Sequence, residues 1–394
     1  MSNEHAGRRR FLAGAGALGA AAVAGRAGIA LAGTGEAAPS GGRRGLRHRG
    51  VCYAVEDGET PETGWDAARM RADLRVIAGD LHASTVSVFG DGVRRLTATA
   101  EEAADRGLHV WLQPRLADRP HEEILDHLAE TGRAAERMRR QGARVHLSVG
   151  CEFLLFVPGI VPGESALERI ENIMSGNYDP AETAERLREF IARAAATGRS
   201  VFRGALTYGA ASDEADESVD WGLFDLVSVN YYGYHSGRTG YVRDLRRYRR
   251  FGKPVAITEC GTCTFEGAPE HGGMGWDIVD YDKPRPEITA DVRRSERAQA
   301  AYLGDVFDAF ESMGLYSATI YNFVAPDSPH RPQRRFDLDL ASYSLVKPIW
   351  ESPERPGNWH WEPKEAFHAM ARRFARAGGA DGRQPGAGGA GGTP

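Results

Sequence analysis

The sequence predicts an α/β fold, a single domain in which eight parallel strands alternate with helices and close into a barrel. Eight short apolar segments are each followed by a connection, and most connections carry apolar residues at helical spacing. This alternation indicates a parallel sheet, and the number eight favours a closed barrel over an open, doubly wound sheet. An open sheet that binds a dinucleotide should carry G-x-G-x-x-G after its first strand, and residues 51–57 have no such run. The predicted fold is therefore a (β/α)8, or TIM, barrel.

The order of the elements follows from the pattern along the chain. Strands are predicted at residues 49–55, 84–89, 109–114, 144–150, 202–208, 226–232, 254–258 and 317–323. Helices are predicted at residues 65–77, 93–106, 120–140, 181–197, 242–251, 292–313 and 363–376, and the fifth connection is predicted to be a polar loop with a single turn. Gly107 lies where a glycine would end the second helix. Long loops are expected after strands four, seven and eight.

The two ends of the chain are predicted to lie outside the barrel, which occupies residues 45–377. Residues 1–40 carry the run Arg8-Arg9-Arg10 before a mildly apolar stretch of Ala, Gly, Leu and Val. This order is typical of an export signal and resembles the twin-arginine consensus. A chance arginine run before a buried helix is the alternative, although so many glycines would make that helix weak. Residues 378–394 are mostly Gly and Ala, which predicts a disordered tail.

Composition limits the classes of function. The chain has 394 residues, 42% of them apolar and 26% charged, which is typical of a globular protein. Its formal net charge of −5 argues against broad nucleic-acid binding, because proteins that neutralise phosphates are usually basic. No stretch after the predicted signal has the length of apolar run that a membrane span needs. We therefore expect a secreted, extracellular monomer with no nucleic-acid partner and no membrane contact after signal removal.

Two glutamates come directly after apolar strands, at the end of the strands where such barrels build their active sites. The fourth strand runs into Cys151 and Glu152, and the seventh ends at Thr258 and Glu259. A carboxylate in this position costs free energy unless it is paired or used. A structural ion pair is the alternative for either glutamate alone. Two such glutamates, at strands four and seven of one barrel, favour a pair that acts together.

On these residues the chain resembles the clan A glycoside hydrolases, which are barrels with an acid/base after strand four and a nucleophile after strand seven. The resemblance covers roughly residues 48–376 and implies a retaining glycosidase with Glu152 as acid/base and Glu259 as nucleophile. Such enzymes need the two carboxyl groups about 5–5.5 Å apart. The sixth strand is also similar to that of the clan, where a Tyr hydrogen-bonds the nucleophile. This implies that Tyr232 has that role, with Asn230 on the same face of the strand.

The sequence departs from the clan's pattern at three places. Cys151 stands where the clan has the Asn that holds the sugar's 2-hydroxyl group. The clan's strand-two Arg is missing, and Arg115, after strand three, is the candidate substitute. The strand-eight Trp is replaced by residues 321–323, of which Asn322 is a candidate substrate contact, as is His235 after strand six. The chain is similar, too, to a group of secreted actinobacterial-type chains labelled abortive infection proteins, a label that implies no chemistry.

Two other functions stay open at this point. A secreted barrel that binds carbohydrate or cell-wall polymer without cleaving it would show the same departures, and carboxyl groups much more than about 10 Å apart would favour it. A metal-dependent hydrolase is the other alternative, but the sequence has no dense His/Asp cluster, so neither a metal nor a cofactor is expected. Cys260 and Cys263 form a single C-x-x-C, for which a local disulfide or two free thiols are expected rather than a zinc site.

Overall fold

The computed structural model of the chain describes residues 45–381, apart from residues 59, 213, 215–217 and 352–356. The predicted export signal and residues 382–394 lie outside the described residues. Within the described ranges, no helix is long and apolar enough to cross a membrane.

Eight parallel strands close into a barrel, which confirms the predicted fold class. The strands are β1 (His48–Val55), β2 (Thr85–Gly90), β3 (His109–Pro114), β4 (Val145–Cys151), β5 (Leu206–Ala211), β6 (Val227–Asn230), β7 (Val255–Glu259), β8 (Val279–Asp280), β9 (Glu287–Ile288), β10 (Ser317–Ile320), β11 (Val346–Trp350) and β12 (Trp359–Pro363). Strands β1–β7 and β10 form the barrel, in which β10 closes the circle between β7 and β1. At this closure His48 lies opposite Ser317 and Val51 opposite Ile320. Strands β8–β9 and β11–β12 form two small antiparallel sheets in the long loops.

The helices lie between the strands. They are α1 (Ala67–Gly79), α2 (Val93–Asp105), α3 (His121–Arg140), α4 (Phe153–Phe156), α5 (Ala166–Ser175), α6 (Pro180–Val201), α7 (Arg238–Arg246), α8 (Glu296–Met313) and α9 (Glu365–Asp381). Helix α4 and helix α5 both lie in the loop after β4. The long loops expected after the fourth, seventh and eighth barrel strands are therefore present, and they hold these short helices and the two small sheets.

The structure explains why the sequence patterns predicted these strands and helix ends. Every residue of β2 and of β3 is buried, because strands of a parallel barrel are covered on both faces and so read as continuous apolar runs. The Ser295 side chain caps α8 by accepting from Ala298 N, and Gly314 ends that helix at φ 61°. Gly107 follows α2 at φ 79°, as predicted, which is a left-handed conformation that favours glycine.

The structure differs from the predicted elements in the fourth, seventh and eighth connections. Helix α6 continues to Val201, so β5 begins at Leu206 and not at residue 202. Helix α5 was not predicted, although its start carries a capping signal: Ser165 accepts from the N–H of Glu168. The small sheets were not predicted either, since strands as short as Val279–Asp280 carry too little alternation to be recognised.

Aromatic rings fill the end of the barrel where the strands begin. The ring centroids of His48 and His109 lie 4.6 Å apart, and those of His109 and His146 lie 4.2 Å apart. His146 Nε2 lies 2.8 Å from the Tyr316 hydroxyl oxygen. Strands β1 and β3 are not neighbours in the barrel, so the contact between His48 and His109 must cross its interior. This end of the barrel is therefore packed and offers no passage through it.

Long loops cover the opposite end of the barrel. Trp276, in the loop after β7, and Tyr281, which follows β8, pack in one cluster with Leu155, Phe156 and Ile170 from the loop after β4. The two loops that follow the glutamate-bearing strands are thus in contact above the barrel. These two loops therefore control access to the carboxyl ends of β4 and β7.

Candidate active site

The carboxyl ends of three strands bring Glu152, Asn230 and Glu259 together. Glu259 is the last residue of β7, Asn230 is the last residue of β6, and Glu152 directly follows β4. Both glutamates, called here the carboxyl pair, are covered by protein: Glu152 is 0% exposed and Glu259 is 2% exposed. Buried carboxyl groups at the ends of barrel strands require specific partners, since desolvation disfavours their charged form.

The backbone at Glu152 is left-handed, with φ 40° and ψ 57°. This conformation is sterically costly for a residue other than glycine, by about 1–3 kcal/mol, and it persists only where the surroundings hold it. The Glu152 N–H donates to Gly209 O at 2.9 Å, and the next N–H, of Phe153, donates to the Tyr208 hydroxyl at 2.8 Å. Gly150 allows the turn, because a Cβ there would lie 2.2 Å from the Phe153 ring. The chain thus holds Glu152 in a strained position.

Only one of the two carboxyl oxygens of Glu152 has a hydrogen-bond partner among the described residues. Its Oε1 accepts a hydrogen bond from Asn230 Nδ2 at 2.9 Å. Its Oε2 is buried and has no hydrogen-bond partner among the described residues. An unpaired buried oxygen costs free energy, so its retention at a strained position is typical of a functional group.

Both carboxyl oxygens of Glu259 accept hydrogen bonds. Arg115 Nη2 donates to Oε1 at 2.8 Å, and the Tyr232 hydroxyl donates to Oε2 at 2.9 Å. Cys151 Sγ lies 3.6 Å from Oε1 and makes a weak third contact. Donors on both oxygens stabilise the ionised form of this carboxyl group.

Arg115 reaches Glu259 from the end of β3. Its Nη2 also donates to Gln113 Oε1 at 2.9 Å, and its guanidinium carbon lies 4.4 Å from the centroid of the Phe89 ring and 5.1 Å from that of Phe156. These aromatic faces attract the cation and hold its plane in place. The guanidinium group is therefore fixed beside Glu259 by three other side chains.

A series of contacts limits the distance between the two carboxyl groups. Asn230 Nδ2 lies 2.9 Å from Glu152 Oε1 and 3.2 Å from Cys151 Sγ, which in turn lies 3.6 Å from Glu259 Oε1. The two carboxylate oxygens are therefore less than about 10 Å apart, which is close enough to act on the two sides of one glycosidic bond.

Burial raises the pKa of both carboxyl groups, but their different neighbours affect the two pKa values differently. The pKa of Glu152 lies well above its usual value because of burial and of the nearby negative charge of Glu259. The pKa of Glu259 is also raised, chiefly by burial, although the charge of Arg115 and the hydrogen bonds from Tyr232, Arg115 and Cys151 offset part of this rise. Glu152 is therefore the better proton carrier of the two, and Glu259 is the one whose ionised form has more stabilising partners.

The other two predicted site residues, His235 and Asn322, make no hydrogen bond with the carboxyl pair in the described part of the chain. His235 contacts Asp244 and the ring of Tyr241, both on α7. Asn322 follows β10 and is joined to Tyr321 by a cis peptide bond. It is 3% exposed, and its Oδ1 has no hydrogen-bond partner among the described residues. Asn322 lines two small clefts at the carboxyl end of the barrel, of about 60 and 30 Å³.

A larger cavity, of about 430 Å³, lies at the other end of the barrel. It is lined by cations such as Arg47, Arg249 and Lys253, together with Tyr316. Active sites of this fold lie at the carboxyl ends of the strands, so cavity size does not outweigh the position of the carboxyl pair. Lys253 and Arg249 are also used within the fold, where they donate to backbone carbonyl groups.

Neither a metal site nor a disulfide is found among the described residues. Among the residues that the structure describes, no group of three or more His, Cys, Asp or Glu side chains is arranged to hold a metal ion. Cys260 and Cys263 are free thiols, which contact the backbone oxygens of Thr319 and Ala341. The C-x-x-C motif is therefore reduced and buried in this structure.

Sequence reasoning missed one carboxyl group at the same end of the barrel. Glu56 directly follows Val55, the last residue of β1, and lines the cleft of about 60 Å³ together with Asn322. The signal that singled out Glu152 and Glu259, a lone carboxylate after an apolar strand, is present at Glu56 as well.

Comparisons with known proteins identify similar folds. No protein-family model matches the chain, and no curated protein matches it. A structure described as a complex of a GH113 beta-1,4-mannanase is 14% identical, with a TM-score of 0.55, over 84% of this chain and 99% of that one. A GH113 beta-mannanase from Alicyclobacillus acidocaldarius is 18% identical, with a TM-score of 0.50, over 84% and 98% of the two chains.

A third similar structure is beta-glucuronidase 2 of Bacteroides uniformis, covalently bound to cyclophellitol-6-carboxylate aziridine. It is 15% identical, with a TM-score of 0.51, over 84% of this chain and 35% of that chain. Identities this low carry no information on substrate. What the three likenesses show is that the chain has the barrel fold found in these glycoside hydrolases.

Proposed function

We propose that the protein is a retaining glycoside hydrolase that acts on a poly- or oligosaccharide, with Glu259 as nucleophile and Glu152 as acid/base. The observation that carries the proposal is the asymmetry of the carboxyl pair. Glu259 accepts from Arg115 and Tyr232, whereas Glu152 keeps one buried oxygen without a partner. The fold shared with GH113 mannanases is consistent with it. An oligosaccharide is the substrate class expected for such a pair.

In the first step Glu259 attacks the anomeric carbon and forms a glycosyl ester. The bond to the leaving oxygen breaks, and Glu152 gives its proton to that oxygen. The unpartnered Oε2 is the oxygen that can hold this proton, since Oε1 already accepts from Asn230. Arg115 and Tyr232 keep Glu259 ionised before the attack, which a nucleophile requires.

In the second step water replaces the enzyme on the sugar. Glu152, now ionised, takes a proton from the water as the water oxygen attacks the anomeric carbon, and the bond to Glu259 breaks. Both catalytic groups then return to their starting states. The configuration of the anomeric carbon is inverted twice and is therefore retained.

Substrate entry requires movement of the loops that cover the carboxyl pair. Trp276 and Tyr281 pack against Leu155 and Phe156, and both glutamates are shielded. We infer that the loop after β7 moves away from the loop after β4 when an oligosaccharide binds. Excluding water from the closed site would strengthen the electrostatic contacts within it.

The test uses Glu152→Gln and Glu259→Gln, with Glu123→Gln, on the exposed side of α3, as the matched control. Wild-type protein is screened on plant and bacterial cell-wall glycans, and the variants are measured on the best substrate. We expect both site variants to lose hydrolysis by at least about 10³-fold while circular dichroism stays unchanged. Full activity in either variant would overturn the assignment. Proton NMR of the first product tests retention separately, because an inverted anomer contradicts Glu259 as nucleophile.

We propose further that the protein is exported through the twin-arginine pathway and acts outside the cell. The residues that suggest this, Arg8 and Arg9 before Phe11 and Leu12, lie outside the described part of the chain. The test is the distribution of the protein between cells and medium. Changing both arginines to lysine should keep the protein inside the cell, and unchanged secretion would argue against this route.

A further inference from the structure

We propose that Thr258 is a positioning residue for the acid/base glutamate. Its hydroxyl group holds the amide of Asn230 with the nitrogen towards Glu152, and Oε2 of Glu152 is thereby left as the oxygen that carries the catalytic proton. This inference deepens the proposed glycosidase function and rests on it. Thr258 directly precedes Glu259 on β7 and is 4% exposed. Its hydroxyl group donates to Asn230 Oδ1 at 2.8 Å.

The amide of Asn230 has two different ends, and each end has its own contacts. Nδ2 lies 2.9 Å from Glu152 Oε1 and 3.2 Å from Cys151 Sγ, whereas Oδ1 accepts from Thr258 Oγ1. An amide nitrogen can only donate and an amide oxygen can only accept, so rotating the amide by about 180° would turn an acceptor towards Oε1. The Thr258 hydroxyl group satisfies Oδ1 only in the observed orientation and therefore favours it.

An irregularity in the pairing of β6 with β7 accounts for the position of the Thr258 side chain. In the pairing that the structure describes, Val229 lies opposite Ile257. The next residue of β6, Asn230, lies opposite Glu259, so Thr258 is left without a counterpart. Successive side chains of a regular strand point to opposite faces, whereas Thr258 and Glu259 both contact side chains of the site. An extra residue of this kind redirects side chains and is common beside active sites.

The main chain of Thr258 is fixed by contacts with β10 and β1. Its carbonyl oxygen accepts from the hydroxyl group of Thr319, on β10, and from Cys52 Sγ, on β1, at 3.3 Å. All three residues are buried. The hydroxyl group that orients Asn230 is therefore itself held in place by the barrel, as a group that supports a catalytic residue must be.

The orientation of the amide decides which form of Glu152 it stabilises. Burial and the charge of Glu259 raise the pKa of Glu152, whereas the hydrogen bond from Asn230 lowers it. An N–H that donates to Oε1 favours the ionised carboxylate and keeps the proton off that oxygen. The rotated amide would instead accept the acid proton from Oε1. Thr258 thus keeps the proton on Oε2, which has no hydrogen-bond partner within the described residues.

The charges around Glu152 stay the same when Thr258 is replaced by an uncharged residue. The titratable and charged groups on the elements packed around Glu152 are Arg115 after β3, Cys151 on β4, Tyr208 on β5, Glu214 after β5, Tyr232 after β6 and Glu259 on β7. A change in the titration of Glu152 in a Thr258 variant therefore reports on the amide of Asn230.

The experiment compares Thr258→Val, which keeps the shape but loses the hydroxyl group, with Thr258→Ser, which keeps the hydroxyl group. The kinetics are measured on the best glycan of the screen. In Thr258→Val the basic limb of the kcat/KM profile should move up by at least about 0.5 pH unit, because ionised Glu152 loses a fixed donor. The value of kcat/KM at pH 7 should fall about 10-fold, since the amide oxygen can now hold the acid proton.

Two controls accompany this comparison. Thr258→Ser should keep the wild-type basic limb and lose less than about 3-fold in kcat/KM. Thr85 is a buried threonine at the start of β2, and its hydroxyl group donates to His109 O at the other end of the barrel. Thr85→Val should leave both the limb and kcat/KM unchanged.

Two further variants separate positioning from packing. Thr258→Ala removes the same hydroxyl group without adding a methyl group, and it should shift the basic limb as Thr258→Val does. In an Asn230→Ala background, Thr258→Val should change kcat/KM by less than about 2-fold, because Thr258 acts through that amide. A basic limb that stays in place in the valine and alanine variants, a serine variant as impaired as the valine variant, or an undiminished effect in the Asn230→Ala background overturns the inference.

The titration of Glu152 can also be measured without turnover. NMR of isotope-labelled glutamate carboxyl carbons in the full-length protein, with Glu152→Gln to assign the signal, follows this group directly. We expect its titration to lie at least about 0.5 pH unit higher in Thr258→Val than in wild type. An unmoved titration contradicts the role of Thr258 alone, whereas preserved hydrolysis in Glu152→Gln contradicts the glycosidase mechanism, whatever Thr258 does.

Discussion

Arg115 and Glu259 form a buried ion pair, with Nη2 of the arginine 2.8 Å from Oε1 of the glutamate and side-chain exposures of 5% and 2%. Removing one partner of such a pair leaves an uncompensated charge, which costs about 3–5 kcal/mol or is relieved by protonation. Arg115→Met should therefore raise the pKa of Glu259. Since the nucleophile must be ionised, the acid limb of the kcat/KM profile should move to higher pH, and kcat/KM at pH 7 should fall by about 100-fold or more.

The conservative variant Arg115→Lys tests whether the charge or the geometry matters. A lysine keeps the positive charge but cannot also hold Gln113 and the Phe89 face with one planar group. The acid limb should then stay near its wild-type position while kcat/KM drops less than in Arg115→Met. An acid limb that does not move in Arg115→Met would mean that the arginine does not control the ionisation of Glu259.

The role of Glu152 predicts a dependence on the leaving group. A general acid matters most when the leaving oxygen is a poor leaving group, so Glu152→Gln should lose kcat/KM, which reports the first step, on a natural oligosaccharide but keep much of it on a dinitrophenyl glycoside. On that substrate the glycosyl–enzyme should form rapidly and break down slowly, giving a burst of dinitrophenol. Glu259→Gln, as the nucleophile variant, should be inactive on both. Equal losses on both substrates in Glu152→Gln would remove the acid/base assignment.

Sequence reasoning reached the fold and the centre of the site because both depend on local patterns. Strands buried on both faces give continuous apolar runs, and Glu152 and Glu259 mark the ends of two of them. The resemblance of the sixth strand to that of the clan implied Tyr232, strand alternation placed Asn230 on the same face, and both contact the carboxyl pair. Arg115, named as the candidate substitute for the clan's strand-two Arg, contacts Glu259.

The features of the site that could not be predicted from the sequence depend on contacts between segments that are distant along the chain. His235 looked like a free loop histidine until α7 placed Asp244 beside it. The unpartnered oxygens of Glu152 and Asn322 depend on how four separate elements pack, and no spacing along the chain encodes them. The cover over the site, formed by Trp276 and Leu155, joins two long loops in a way that their glycine-rich and polar sequences do not specify.

Cys151 lies between Asn230 and Glu259 and connects the two halves of the site. Its thiol is buried, accepts from Asn230 Nδ2 at 3.2 Å and contacts Glu259 Oε1 at 3.6 Å. Cys151→Ser replaces a weak donor by a stronger one of smaller size, which should lower the pKa of Glu259 relative to the wild type. Cys151→Ala removes the donor and should lower kcat/KM by about 2- to 10-fold. The pH dependence of kcat/KM should shift in opposite directions in the two variants, and shifts in the same direction would indicate a packing effect instead.

The buried histidines at the other end of the barrel predict acid sensitivity of the fold. Burial, chiefly, lowers the pKa of His48 and of His146 to about 4, and that of His109 to about 2. These side chains are neutral in the folded protein, whereas in the unfolded chain they take up protons below about pH 6.5. Stability should therefore fall as the pH drops from about 6.5 towards 4, by up to about 3 kcal/mol for a single histidine.

Thermal unfolding between pH 4 and pH 8 tests this directly. His109→Phe keeps an aromatic ring in the cluster but removes a proton acceptor, so the slope of Tm against pH below 6.5 should become smaller than in wild type. His368→Gln, on the exposed side of α9, is the matched control and should leave the slope unchanged. A wild-type slope in His109→Phe would mean that other groups cause the acid sensitivity.

The buried pair of Lys364 and Asp339 anchors the loop that follows Glu259. Lys364 Nζ lies 2.8 Å from Asp339 Oδ1 and 2.9 Å from the hydroxyl oxygen of Thr264, and neither charged side chain is exposed. Lys364→Met leaves Asp339 buried with Arg294 as its remaining cation among the described residues, so we expect a loss of about 3–5 kcal/mol in the free energy of unfolding. Arg186→Gln, which breaks an exposed ion pair with Glu182, should cost less than about 1 kcal/mol. Because Thr264 lies in the loop after β7, Lys364→Met should also raise KM more than it lowers kcat. Urea unfolding and steady-state kinetics measure both effects, and equal unfolding free energies for the two variants would show that the buried pair does not hold the loop.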